Sequence, residues 1–284
     1  MNDDRWAAAV LIGKTLHLRV HNAGAVTDMS ETLTTASYTG SLLQMLAPFL
    51  EENSVLPILF AGPSALNLVN VPAVPPSSFV PLQEIDPRVA VMCLDGMAQT
   101  QPADVMDGQV AQILGFLAAN PEWDGVLCLA GARSNWVHIS AGEVVSFQTF
   151  MTGEVIEMLA ADSALSRALE GTGWDDAAFE VALSDAMSRP ERAVAALFSL
   201  HAEERLVGHN PAKARARLSG MWIGMEMAAA RPYWLGQNVA IIGEAAVAEQ
   251  YQAALRTQGV IAPCCDAVDM AFRGVAHAYA GQKD

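Results

Sequence analysis

Apolar residues fall in short dense runs along this chain, and their spacing alternates between strand and helix periods. Residues 6–20, WAAAVLIGKTLHLRV, break at Gly13-Lys14; beyond the break Leu16, Leu18 and Val20 alternate with His17 and Arg19. That period of two predicts a pair of short strands around a turn. LPILFAG (56–62), VAVMCL (89–94), GVLCLAG (125–131) and NVAIIG (238–243) are compact apolar runs of strand length. WVHI, the turn Ala141-Gly142-Glu143 and VVSFQTF predict a hairpin. Helical spacing marks SLLQMLAPFLEE (41–52), blemished by Pro48, and DGQVAQILGFLAANP (107–121), closing near Asn120-Pro121. It also marks nearly everything from 152 to 231, then 244–259 and 266–279. The Pro-rich stretch 71–83 suits neither central strand nor helix, and predicts a surface loop or an extended crossing.

A strand-and-hairpin opening near residue 7 recurs near 125, each time followed by helices. The rhythm predicts an α/β protein of two similar halves facing across a cleft, dividing near 122, with a C-terminal helix free to cross back onto the first half. At 284 residues and 52% hydrophobic the chain can bury a substantial core. No apolar run reaches the roughly 20 residues of a membrane span. The acidic start Met1-Asn2-Asp3-Asp4-Arg5 is unlike a secretory leader, so the expectation is a cytoplasmic protein without membrane attachment.

The net charge of −15, from 16 Lys+Arg against 31 Asp+Glu, argues against a nucleic-acid partner, which needs cations to neutralise phosphates. Lys213, Arg215 and Arg217 read as a solvated helix face. Cys93, Cys128, Cys264 and Cys265 form no CxxC pair, so no metal site is expected, and all four read as buried structural thiols.

Candidate chemistry lies at glycine-bearing turns after strands, where a bare backbone lets amides approach a phosphate. Three qualify: Gly13-Lys14-Thr15, the stretch from Ala130 through Gly131, Ala132 and Arg133 to Ser134, and Gly243-Glu244-Ala245. None is a Walker A loop or a GxGxxG fingerprint, which discounts a Rossmann-type dehydrogenase, and each alone is also an ordinary turn.

AGARSNWV (130–137) followed by FQTFMTGEVIEML (147–159) resembles the 2-dehydro-3-deoxygalactonokinase signature, PGTHSKWV and then F-x-T-x-MTGE. DVMDGQVAQILG (104–115) is similar to that family's MRGEETQxxG, RLSGMWIGMEMAAAR (217–231) to its SGLLIGxE segment, and IIGEAAVAEQYQAALRTQG (241–259) to its Gly-Tyr-Ala-Leu-Gly spacing. The matches keep their order over most of the chain from about residue 56. The resemblance implies an actin-like ATPase fold of two ribonuclease-H-like domains, here 1–122 and 123–284. It implies ATP with Mg²⁺, and a six-carbon keto-deoxy sugar acid phosphorylated on its terminal hydroxyl. Self-association as a homodimer is left open.

Carried over residue by residue, the resemblance assigns Gly13, Lys14, Gly131, Arg133, Ser134, Gly243, Glu244 and Ala245 to phosphate and nucleotide. It assigns Thr152, Gly153 and Glu154, unchanged from MTGE, to substrate, with Thr152 also able to cap a helix. Departures cluster at charge-handling positions. Val10 stands where an Asp would orient Mg²⁺, and Asp107, Gln109 and Val110 stand where the family has Arg, Glu and Glu. Asn135 stands for Lys, and Gly62-Pro63-Ser64-Ala65-Leu66 for Gly-Met-Val-Gly-Ser. His201, where the family tends to Arg, reads as packed or solvated. Asp107 is then either a displaced catalytic base or, by preference, the N-cap of the 108–119 helix. Two readings follow: an ATP-dependent sugar-acid kinase, or a catalytically impaired paralogue that binds a sugar acid or nucleotide as a sensor or partner subunit.

Overall fold

The computed structural model describes residues 5–34, 37–63 and 65–282; the acidic residues of the N-terminus at 3 and 4, and Ser64, lie outside the described residues. Gly13 adopts φ +57°, a left-handed conformation that glycine takes without strain. With Lys14 it turns β1 (Arg5–Ile12) back into β2 (Thr15–Asn22). β3 (Ala25–Thr32) continues the meander, and α1 (Thr39–Leu46) ends in one 3-10 turn that carries Pro48. β4 (Leu56–Ala61) then runs parallel to β1, Ala7 opposite Ile58 and Val10 opposite Ala61. After β5 (Leu68–Asn70), β6 (Phe79–Pro81) and β7 (Val89–Leu94) come the hairpin β8 (Gly96–Thr100) and β9 (Ala103–Met106), and α2 (Gln109–Ala119).

The second half repeats the opening with β10 (Gly125–Ala130), β11 (Ser134–Ser140) and β12 (Glu143–Phe150). Six helices follow: α3 (Thr152–Ala161), α4 (Ser166–Leu169), α5 (Asp176–Ser188), α6 (Ala193–Leu206), α7 (Pro211–Ala229) and α8 (Arg231–Trp234). β13 (Val239–Gly243), α9 (Ala245–Thr257), β14 (Cys264–Asp266) and α10 (Ala267–Ala280) complete the chain.

The two main sheets have the same order and directions, β3-β2-β1-β4-β7 and β12-β11-β10-β13-β14, with β6 added at the edge of the first. In each, an antiparallel meander is joined by strands parallel to its first strand. These are two ribonuclease-H-like units facing across a cleft. β5, β8 and β9 form a small third sheet.

The Pro-rich stretch is an extended crossing. Ala73 exchanges both backbone hydrogen bonds with Val144 of β12, at 3.1 and 2.8 Å, before the chain joins β7 as edge strand β6. α10 returns from the second half to pack along α2. Glycines make the contact: a Cβ on Gly115 would sit 1.9 Å from the Met270 carbonyl oxygen, and one on Gly274 1.8 Å from that of Ala111. The backbones therefore touch with nothing between them.

Some expectations change. Cys93 and Cys128 are buried, and burial pushes the Cys93 thiol up to about 11 and the Cys128 thiol well above its ordinary value. Cys264, however, is exposed and Cys265 half-buried, because β14 is the sheet's edge strand. The basic face of α7 is not simply solvated either. Arg217 pairs with Glu203 of α6 at 2.6 Å and Arg215 donates to the Gly171 carbonyl at 2.9 Å, so these cations tie α7 to its neighbours. No helix among the described residues is long and apolar enough to cross a membrane.

Candidate active site

Two cavities meet at the turn after β10, sharing Gly131, Ala132 and Glu157 as lining. One, of about 560 Å³, opens between the first half's turns, 11–14, 62–63 and 107–109, and residues 130–133 of the second. The other, of about 680 Å³, runs from Thr152 and Gly153 past Trp174 and Phe179 to Tyr251 of α9. Both are of ordinary ligand-site size. A separate hollow of about 660 Å³ between α5, α6 and α7 holds none of the predicted site residues.

The MTGE segment has a physical job here. A Cβ on Gly153 would lie 2.6 Å from the Gly131 oxygen and 2.9 Å from the Ala132 Cα, so only glycine lets α3 start directly against the 131–132 backbone. The Glu154 amide then donates to the Ala132 carbonyl at 2.7 Å, and its carboxylate pairs with Arg133 at 3.1 Å. Lys14, on the opposite side of the cavity, reaches Glu157 of α3 at 2.7 Å, a hydrogen bond that raises the lysine's pKa. Two cations thus flank the turn, each resting on a carboxylate of α3.

Asp107 corrects the preferred sequence reading. The N-cap of α2 is Gly108, without a side-chain cap bond, while Asp107 Oδ1 accepts the Ala65 amide at 3.2 Å and lines the first cavity. The turn is tight: a Cβ on Gly108 would sit 2.9 Å from the Gly62 nitrogen. Gln109 accepts the Asp107 amide at 3.1 Å from the same wall. Val10 and Val110 are fully packed into the core beneath, and Leu11 lines the cavity without filling it.

Thr152 is likewise not a cap. Met151 holds that position, and the buried Thr152 hydroxyl bonds to Glu226. Ser134 is fully buried, donates to Glu226 at 2.7 Å, and lines neither cavity. Asn135 is buried as well, donating to Thr149 at 2.7 Å. Gly243 lets β13 approach β10, since a Cβ there would lie 2.8 Å from the Ala130 oxygen. Glu244 is the N-cap residue of α9 without a side-chain bond and Ala245 its first residue; of that region it is Ala246 and Val247 that reach the second cavity. His201 is packed on Phe198 at 5.4 Å, away from both cavities.

The residue that sequence reasoning left without a role is Glu226, on α7 and 2% exposed. It accepts from Ser134 Oγ at 2.7 Å, Trp136 Nε1 at 2.8 Å and Tyr251 OH at 2.8 Å, besides Thr152. Its signal was visible as the one acid in the apolar run GMWIGMEMAAA. Burial raises its pKa above the ordinary 4.5, opposed by the four hydrogen bonds. A carboxyl raised in the folded state contributes stability that is complete below the unfolded value and lost as pH rises through the folded one. The Tm of the wild type relative to Glu226→Gln, which cannot titrate, is therefore expected to improve on going from neutral to acidic pH. A difference that is flat or moves the other way contradicts this.

No group of three His, Cys, Asp or Glu able to hold a metal converges among the described residues. Comparison with known proteins gives the constellation its context. The profile of the family described as 2-keto-3-deoxy-galactonokinase matches residues 9–278. A protein of Rhizobium meliloti (strain 1021) named as a probable 2-dehydro-3-deoxygalactonokinase is 34% identical over 194 residues, 66% of this chain and 63% of that protein. The Escherichia coli (strain K12) 2-dehydro-3-deoxygalactonokinase is 28% identical over 186 residues, 62% of this chain and 61% of that one. The alignments thus span under two thirds of either curated relative. The crystal structure of a candidate 2-dehydro-3-deoxygalactonokinase from Sinorhizobium meliloti superposes with a TM-score of 0.84 at 27% identity, covering 98% of this chain and 99% of that one. An ADPNP-bound activator of 2-hydroxyisocaproyl-CoA dehydratase from Clostridium difficile shares the fold alone, at 12% identity and a TM-score of 0.51, covering 98% of this chain and 97% of that one.

Proposed function

The chain belongs to the 2-keto-3-deoxy-galactonokinase family, and from that premise we propose that it is a cytoplasmic ATP-dependent kinase of 2-keto-3-deoxygalactonate, transferring the γ-phosphoryl group to the terminal hydroxyl. The observation that carries the reading is the first cavity, where Asp107 of one half faces the 131–133 turn of the other with Lys14 and Arg133 at its sides. Residues 1–122 and 123–284 are then the two halves, with α10 returning to the first.

In this reading the second cavity takes the nucleoside, against Tyr251 and the start of α9, and the turn at Gly131 takes the phosphates. Lys14 and Arg133 exchange their α3 carboxylates for phosphate oxygens, offsetting charge that develops during transfer. Thr152 and Gly153 hold the turn in place from the nucleotide side, and Glu154, on the first cavity, borders the sugar acid. Asp107 orients the attacking hydroxyl and accepts its proton.

Mg²⁺ fits this donor set only as a passenger of the nucleotide. Val10 offers no oxygen, and Glu154 and Glu157 rest on cations until nucleotide arrives, so Mg²⁺ would enter with the phosphates and supply charge screening there. The paralogue reading draws on the same apolar replacements. The open cavity and the carboxylate within it favour the kinase.

Calorimetric titration separates the two. Mg-ATP is expected to bind the purified protein, and 2-keto-3-deoxygalactonate is expected to trigger ADP release. Nucleotide binding with no sugar-dependent ADP would leave the paralogue standing; no binding at millimolar nucleotide would remove the kinase.

A further inference from the structure

Glu226 brings together four donors from three elements, of which α3 and α9 wall the second cavity and β11 follows the turn that does, yet is not itself among the residues lining either cavity. Ser134 and Trp136 come from β11, directly after the 131–133 turn. Thr152 starts α3, whose Gly153 lies against that turn, and Tyr251 comes from the middle of α9. These elements meet across sequence separations of 92, 90 and 25 residues at one carboxylate. A neutral apolar residue of similar size would fill the volume, but would strand four buried donors, each of which costs free energy when left unpaired. A carboxylate is also acceptor-only, so it fixes the direction of all four hydrogens, which an amide does not.

We propose that Glu226 is a positioning residue that sets the nucleotide cavity, holding the 131–133 turn, the start of α3 and Tyr251 of α9 in mutual register. The inference rests on the reading of that cavity as the ATP site, and it adds a specific agent to it. Replacement by glutamine keeps the shape but puts an amide donor in place of one acceptor oxygen. Trp136, which can only donate, holds the carbonyl on the Oε1 side with Ser134, and the Tyr251 hydroxyl on the Oε2 side loses its acceptor and has to turn. The turn and α9 then move relative to each other, and affinity for nucleotide falls, while the sugar-acid side, built from the first half's turns, changes little.

The test measures Mg-ATP and sugar-acid dissociation constants and Tm for wild type, Glu226→Gln, Ser134→Ala and the double variant. Glu226→Gln is expected to weaken ATP about tenfold or more, as a displaced hydrogen-bonded support does for the group it orients. Sugar-acid affinity is expected to stay within about twofold. Ser134→Ala, which removes one donor and creates almost no cavity, is expected to weaken ATP about threefold in the wild-type background and less in the Glu226→Gln background, because both substitutions act on the one Ser134–Glu226 bond, charge-assisted with the carboxylate and neutral with the amide. A lower Tm for Glu226→Gln with wild-type ATP affinity in its folded fraction, or strictly additive effects of the two substitutions, would overturn the proposal. Were Glu226→Gln too unstable to measure, Ser134→Ala alone decides: unchanged ATP affinity overturns it. A wild-type chain that binds no nucleotide overturns both this inference and the kinase reading, whereas one that binds normally with unaffected variants overturns this inference alone.

Discussion

Asp107→Asn is expected to lower kcat by about 10²–10⁴-fold, the usual contribution of a positioned general base, while leaving the dissociation constant for Mg-ATP unchanged. The substitution is mild for the fold. Asn retains an oxygen able to accept the Ala65 amide that Asp107 Oδ1 now accepts at 3.2 Å, and the tight turn at Gly108 against Gly62 is untouched. What Asn cannot do is take a proton from the sugar hydroxyl at neutral pH. Steady-state kinetics with a Tm control separate the two effects. A variant with wild-type kcat removes Asp107 from proton transfer and turns attention to Glu154 and Glu157, the other carboxylates lining the cavity.

Gly274→Ala is expected to destabilise the protein, lowering Tm by about 5–10 °C, against the sign that helix propensity alone gives. Ala is the better helix former by about 1 kcal/mol, so an exposed helical glycine would gain from the change. Here the added Cβ would lie 1.8 Å from the Ala111 carbonyl oxygen, a backbone atom that no rotamer change can move. α10 has to lift from α2, opening the core where Ala111, Met270, Ala271 and Val275 pack. Function should suffer too, since the start of α2 carries the Asp107 turn and Ala267 at the start of α10 lines the same cavity. Thermal unfolding checks it; a raised Tm would show that the helices do not approach as closely as described.

The α/β framework was legible because its central strands are largely buried on both faces and read as apolar runs: β4, β7, β10 and β13 fall where LPILFA, VAVMCL, GVLCLA and VAIIG do, with Ala90 of β7 exposed. β3 was not legible. Alternation has meaning only where one face is buried, and no residue of β3 is buried. β14 is an edge strand of three residues, too short for any period, which also explains the misplaced Cys264 and Cys265. At the site, the turn at Gly131 and the MTGE helix could be read because glycine and backbone geometry are local. Where Asp107 and Thr152 aim their side chains could not. Each sits at a helix start, where capping is the default, but the acceptor of Thr152 and the donor to Asp107 lie far away in sequence, on α7 and near β4. Glu226 was hidden for the same reason: its partners are spread from 134 to 251.

Phosphoryl transfer itself is the most direct measurement, followed by phosphorus NMR with purified protein, Mg-ATP and 2-keto-3-deoxygalactonate. The result expected is a phosphomonoester on the terminal hydroxyl of the acid, appearing in step with ADP and lost in Asp107→Asn. ATP that remains intact in the presence of the acid, or that is hydrolysed equally without it, would contradict the assignment of the cleft to a sugar-acid kinase.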